Sequence, residues 1–322
     1  YYDEGLHKLD TDFEQQSKAH WQERLKGANH YFDYSYGKQQ LNANDKRGER
    51  VYFDLSTELS KRLKAHSKGN RTTLFNVFVC VFSIFVQRYY GLSDVLIGYP
   101  VNIRPRAYKN FFAFFVNIVP MRINMRGDPS YGELLSRVHE TRKEDKKYQS
   151  YPALDIVSSI RETVQDFDGR VFNLSMAQTV SRLFDLQLDG INSEPLESEY
   201  YEVNDDFSLS YELIDGRIGL WFEYRQALFD RRFINQAMEH IEQIIHQALD
   251  YPDRPISQFT LLDQHHERQL ISQFCRSADT AIEDKSTNSE DTDSITSLFQ
   301  AQVERTPDAI AITMNNDPAH NT

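Results

Sequence analysis

The chain has 322 residues, enough for one large or two modest domains, and 40% hydrophobic with 26% charged residues is the balance of a globular protein with a sizeable core. Lys plus Arg total 36 against 48 for Asp plus Glu, a net charge of −12, which argues against the clustered positive excess of a nucleic-acid binder. Two cysteines without a CxxC pair, Cys80 and Cys275, exclude a disulfide framework or a zinc site, and the longest apolar stretch, Leu74 to Val86, is too short to span a bilayer. No secretory signal opens the chain, so a reducing, cytoplasmic setting is expected, with neither nucleic acid nor membrane as partner. The first residue is Tyr1, and the expectation is a segment of something longer.

In chain order, a helix is predicted up to about Gly27, anchored by Phe13 and Trp21, followed by a polar connection over 28–48. Val51, Phe53 and Leu55 alternate as a short strand. Ser56 can cap a helix carrying Leu59, Leu63 and His66 that stops at Gly69 and Asn70. The helix from about Thr73 to Tyr90 is apolar nearly all round and should be buried on several sides. Val95 to Gly98 reads as a strand, followed by a loop with Pro100 and Pro105. Val116 to Ile123 reads as another, with Pro120 placing it at an edge or bulge.

Ser130-Tyr131-Gly132-Glu133 is a capping box that starts a helix. The basic run Arg142, Lys143, Lys146, Lys147 beyond it, interrupted by Glu144 and Asp145, reads as a solvated helix face. Pro152 opens a short helix to Ile160, and 171–177 reads as a strand. Two alternating runs, Phe207 to Leu213 and Ile218 to Tyr224, flank Asp215-Gly216 as a hairpin. An amphipathic helix carrying Ile234, Met238, Ile241, Ile245 and Ala248 follows. Strands interleaved with helices predict an α/β sandwich with a mixed sheet over 1–276. Residues 277–293, rich in Ser, Thr, Asp and Glu, predict a flexible linker, and 294–322 begins a new helix and strand without completing a core.

The chain contains no phosphate loop of the GxxxxGK[ST] type, no GxSxG elbow and no HExxH. Asp205 and Asp206 are adjacent and should point to opposite faces of their strand, which does not make an acid/base couple. His265-His266 resembles the start of the HHxxxDG motif of one acyltransferase superfamily, but Glu267-Arg268-Gln269-Leu270-Ile271 supplies neither its Asp nor its Gly. The other histidines lack metal-ligand spacing. From the residues alone, no catalytic constellation is complete.

Several segments, taken in order, resemble the condensation domains of nonribosomal peptide synthetases from their middle onward. Tyr2-Asp3 and the following helix resemble the family's Tyr-x-Asp segment. Ile97-Gly98-Tyr99-Pro100-Val101 with Arg104 resembles GxPVxxR. Phe114-Phe115-Val116-Asn117 with Pro120 and Arg122 resembles GFFVNTLPLR. Tyr148-Gln149-Ser150-Tyr151-Pro152 sits where the family has HQDxPF, and Phe172-Asn173-Leu174-Ser175, Asp206-Phe207-Ser208-Leu209, Leu228-Phe229-Asp230 and Pro252-Asp253-Arg254-Pro255 complete the series. Ser294 to Thr313 resembles the opening of an adenylation domain. The sequence departs from the pattern at Ala113, Ser150 and Ala153 and lacks an Arg-Asn-Pro run near Gly169-Arg170.

The resemblance implies the C-terminal lobe, chloramphenicol-acetyltransferase-like in fold, of a two-lobed domain whose HHxxxDG lies in an upstream lobe. In such a domain two carrier proteins bring thioesters on phosphopantetheine arms, and an acceptor amine attacks the donor thioester to form an amide. This chain then holds no catalytic residue and binds no cofactor directly. Its partners are the upstream lobe, acyl or peptidyl carrier proteins and a downstream adenylation domain. Asn117, Asn173, Ser175 and Gln178, polar groups on strands, are the candidate wall residues of the substrate tunnel, while Gly98 and Arg104 are read as a tight turn and a surface ion pair. Two other readings stay open: a noncatalytic docking or scaffold module, and an epimerisation or heterocyclisation variant, the latter disfavoured by the Val116-to-Arg122 stretch.

Overall fold

The computed structural model describes residues 11–30, 45–162, 164, 167, 169–179, 189–190, 201–262, 268–269, 271–272 and 302–305. The chain divides into a unit Tyr1–Asp263 and a unit Gln264–Thr322. Of the second unit only short helical pieces are described. His265, His266, the expected linker 277–293 and nearly all of 294–322 lie outside the described residues.

The first unit holds a six-stranded mixed sheet in the order β1-β6-β5-β4-β2-β3. The strands are β1 (Gly48–Asp54), β2 (Asp94–Asn102), β3 (Val116–Asn124), β4 (Leu174–Gln178), β5 (Phe207–Ile214) and β6 (Arg217–Arg225). β4 pairs parallel with both β2 and β5, while β1–β6, β5–β6 and β2–β3 are antiparallel. The helices are α1 (Thr11–Leu25), α2 (Thr57–Gly69), α3 (Leu74–Tyr90), α4 (Tyr131–Asp145), α5 (Ala153–Arg161) and α6 (Arg231–Asp250). The expected mixed α/β architecture is present, with most ends within a few residues of the sequence reading.

Local chemistry sets those ends. Ser56 Oγ accepts the Leu59 amide at 3.1 Å, and Ser130 and Glu133 close the predicted capping box, at 3.2 Å to the Glu133 amide and 2.8 Å to the Ser130 amide. Asp230, part of the Leu228-Phe229-Asp230 segment but not assigned from the sequence as a cap, caps α6 through the Phe233 amide at 2.7 Å. Asp215 and Gly216 have φ of 47° and 84°, the two left-handed positions of the tight hairpin turn. β2 runs on through Pro100, beyond its predicted end. A proline is admissible there because, among the described residues, β4 meets β2 only at Gly98–Ser175 and no neighbouring strand needs the missing amide hydrogen on that side. Pro120 lies on β3, the sheet's edge, as expected.

The core lies between the sheet and its helices. In α3 every residue from Phe75 to Val86 is buried, and the helix touches α2, α4, α6 and β4. Phe78 packs on Tyr211 and Phe82 on Phe207, with ring centroids 4.7 and 5.6 Å apart. Phe207 and Phe222 stack across the hairpin at 4.5 Å. Burying one such ring contributes about 1.5–3 kcal/mol. Among the described residues no single helix is long and apolar enough to cross a membrane.

α1 is fastened by polar contacts. His20 Nε2 and Arg24 Nε both reach Asp145 Oδ1, at 2.9 and 3.0 Å, and the His20 ring stacks on Tyr148 at 4.2 Å. Arg122, on β3, pairs with Asp94 at 2.6 Å and donates to the carbonyls of Arg24 and Lys26 at the end of α1.

Gly98 is not in a turn. It lies inside β2 between Pro120 and Ser175, and a Cβ there would overlap the Phe172 ring. Gly98→Ala is therefore expected to destabilise the protein by about 1–3 kcal/mol through overpacking. In a urea-unfolding double-mutant cycle, Phe172→Ala should relieve most of that loss, and purely additive effects would contradict the contact.

Candidate functional site

The segment between β2 and β3 is built around Arg104. Its guanidinium donates to the carbonyls of Tyr108 (2.9 Å), Phe111 and Ala113 (3.3 Å), and lies 4.2 Å from the Phe115 ring centroid. The expected surface ion pair is replaced by a hub that holds a loop's backbone. The loop it shapes presents Phe111, Phe112 and Phe114 to solvent, with Phe114 at 87% exposure. Val116 and Ile118 continue this apolar surface along one face of β3. Isolated exposed hydrophobics are ordinary, but a contiguous aromatic and aliphatic patch marks a surface that binds something. The run Phe111-Phe112-Ala113-Phe114-Phe115, too apolar for a solvated loop, was the sequence signal for it.

Asn117 lies on the opposite face of β3 and is buried. Its amide donates to the carbonyls of Gln149 (2.9 Å) and Tyr151 (2.8 Å), and its Oδ1 accepts the Ala153 amide at 3.1 Å. This one side chain staples the 149–153 segment, including the start of α5, to the sheet. Asn173 is buried just before β4, and its Nδ2 donates to Asp206 Oδ2 at 2.7 Å. Asp206 also receives Arg225 Nη1 at 3.0 Å, making a buried chain that crosses from β4 to β6.

Ser175 is half-buried on β4, next to Gly98 on one side and Ser208 on the other. Gln178, at the end of β4, accepts a hydrogen bond from the buried Tyr211 hydroxyl at 2.9 Å. By strand alternation Ser175 shares a face with Ser208 and Ser210, whereas Asn117 and Gln178 lie on the face carrying the core residues. The four candidates do not converge on one point. Asn117, Asn173 and Gln178 already hold partners in the fold, and Ser175 bonds the Asp205 carboxylate.

Asp205 and Asp206 lie in the bend just before β5 and not on the strand, and they engage different partners, Ser175 and Arg225. Burial pushes the Asp205 carboxyl above its ordinary 3.8, the Ser175 hydrogen bond opposing and the nearby Asp206 and Glu223 charges adding to the rise. Among the described residues no group of three or more His, Cys, Asp or Glu side chains could hold a metal.

The condensation-domain profile matches residues 6–271, and the chain belongs to the condensation-domain family. Among curated relatives, bacitracin synthase 3 of Bacillus licheniformis is 26% identical over 266 residues, 82% of this chain and 4% of its own length. Malpinin synthetase of Mortierella alpina is 26% identical over 305 residues, 94% of this chain and 4% of its own length. The chain thus spans a small fraction of the curated relatives it matches. Among solved structures, a four-domain nonribosomal peptide synthetase bound to AMP and glycine superposes with a TM-score of 0.71 at 17% identity, over 83% of this chain and 22% of that one. The X-domain from teicoplanin biosynthesis gives 0.68 at 18%, over 80% of this chain and 59% of that one. The fold shared with these is that of a condensation domain.

Because the folded Asp205 binds its proton more tightly than the unfolded one, this carboxyl's own contribution to stability is fully present below pH 3.8 and is lost as pH rises through the folded pKa. Asp205→Asn removes the buried charge. Its melting temperature should exceed the wild-type value at neutral pH, with the gain vanishing below the ordinary carboxylate pKa; a variant less stable at neutral pH would contradict this reading.

Proposed function

We propose that this chain is the C-terminal lobe of a condensation domain in a nonribosomal peptide synthetase, acting in amide-bond formation between carrier-bound donor and acceptor thioesters. The observation that carries the proposal is the apolar surface of the Arg104-held loop and β3, in a chain of this family whose sequence contains no HHxxxDG. The upstream lobe with the histidine motif packs on that surface, and the tunnel runs between the two.

In this reading the chain performs no proton transfer. It supplies a wall that restricts the two thioesters to productive approach, and such orientation accounts for a large part of the rate in an already activated acyl transfer. Ser175 is the wall residue: its hydroxyl hydrogen goes to Asp205, and its oxygen can accept from an amide N–H of the substrate or pantetheine arm. Asn117, Asn173 and Gln178 keep the wall's shape through the bonds described above. The phosphopantetheine comes with the carriers, and an adenylation domain follows downstream, its opening at Ser294 to Thr313.

A second reading, a noncatalytic docking module, is favoured by one observation: a fold neighbour, the teicoplanin X-domain, is known in complex with OxyB, with a TM-score of 0.69. The coding sequence immediately upstream of Tyr1 separates the two. An in-frame lobe with HHxxxDG is expected, and a lobe without that histidine would leave docking as the function.

The seam itself is tested on the purified chain. Hydrophobic-dye fluorescence should be high and should fall several-fold in a Phe112→Asp/Phe114→Asp variant with an unchanged melting temperature. Wild-type fluorescence at background level would remove the apolar seam.

A further inference from the structure

The basic run at the end of α4 is not simply a solvated face. Arg142, Lys143 and Lys146 turn toward Arg71 and His139 around a cavity of about 420 Å³, within the size range of small-ligand sites. Among the described residues no carboxylate lines this cavity, although the chain carries a net charge of −12. Lys147, next in the run, is exposed and takes no part in the lining.

The floor is ordered by the fold. Arg142 Nη1 donates to Thr73 Oγ1 and to Oδ1 of the buried Asn76, both at 3.2 Å, and its guanidinium lies 4.5 Å from the Phe75 ring centroid. Asn76 in turn donates to Thr72 Oγ1 at 3.0 Å. The buried Tyr99 stands beside Arg142, and burial pushes its phenol up to about 12, so it stays a neutral hydrogen-bonding group. Lys143 is balanced by Glu140 at 3.3 Å, and the buried Asp145 is engaged by His20 and Arg24.

Arg71 is the unusual member. It adopts a left-handed conformation with φ of 50° just past the end of α2, where glycine is the ordinary choice. An arginine there sets a long cation on the rim of the cavity. The amino end of the 17-residue α3 opens onto the same space, which adds partial positive charge.

We propose that this cup is a binding site for a phosphate ester. Several arginine and lysine side chains around one cavity, with threonines also in its lining, suit the multiple acceptor oxygens and the double charge of a phosphate. The phosphate can come from a pantetheine arm or from free inorganic phosphate. The inference does not depend on the lobe reading, since it rests on residues of this unit alone.

The test is calorimetric titration of the full chain with pantetheine 4′-phosphate, unphosphorylated pantetheine and inorganic phosphate, at constant ionic strength. Saturable binding is expected for a phosphorylated ligand and none for pantetheine. Arg71→Gly and Lys146→Glu should each weaken it by about tenfold, the size of one charge-assisted contact, while Lys147→Glu, with the same charge change outside the cup, leaves it nearly intact. Arg71→Gly also relaxes the backbone, so loss of binding with an undiminished melting temperature separates the site from folding. A clear preference for pantetheine 4′-phosphate assigns the arm as the source, and equal affinities assign inorganic phosphate. Absence of saturable phosphate binding, or equal losses in Lys147→Glu and Lys146→Glu, would overturn the proposal.

Discussion

Everything in the described unit is arranged around α3. A helix buried from Phe75 to Val86 without a polar stripe has to be enclosed, and it is: Phe78 and Phe82 meet the rings of Tyr211 and Phe207 on the sheet, while α4 and α6 flank it. That contact determines which face of each strand is interior. Once Phe207, Leu209 and Tyr211 face the helix, alternation turns Ser208 and Ser210 to the other side, and the hairpin register carries the same choice to β6. The polar stripe beside Ser175 and the apolar face of β3 are consequences of the aromatic core behind them.

Period and capping made most of this legible in the sequence. The hairpin around Asp215-Gly216, the Ser130–Glu133 box and the all-apolar helix are local signals, and local physics is sufficient to form them. What the sequence left hidden depends on partners far along the chain. Gly98 read as a turn because the reason for a glycine, the Phe172 ring lying over it, is more than seventy positions away. Arg104 read as an ion pair because its true partners are backbone carbonyls, which carry no identity in a sequence. The end of β2 was missed because Pro100 is a strand breaker only where a neighbour needs its amide.

The candidate site was less legible than the fold. Asn117, Asn173 and Gln178 have the size and polarity of ligand-contacting groups, and those same properties suit them to satisfying buried backbone and carboxylate groups. Residue type alone does not separate the two uses. A buried polar group must find a partner, and the nearest one is usually inside the fold. The aromatic loop and the basic cup are the two surfaces proposed to meet another lobe and an anion.

The central claim, that this chain is one wall of a two-lobed condensation domain, is tested most directly by reconstitution. The upstream lobe bearing HHxxxDG is expressed with and without this chain, and amide formation is followed from carrier-loaded donor and acceptor thioesters. The account predicts product only when both are present, and its loss when the second histidine of the motif is replaced by alanine. Amide formation by the upstream lobe alone, at the same rate with or without this chain, would contradict it.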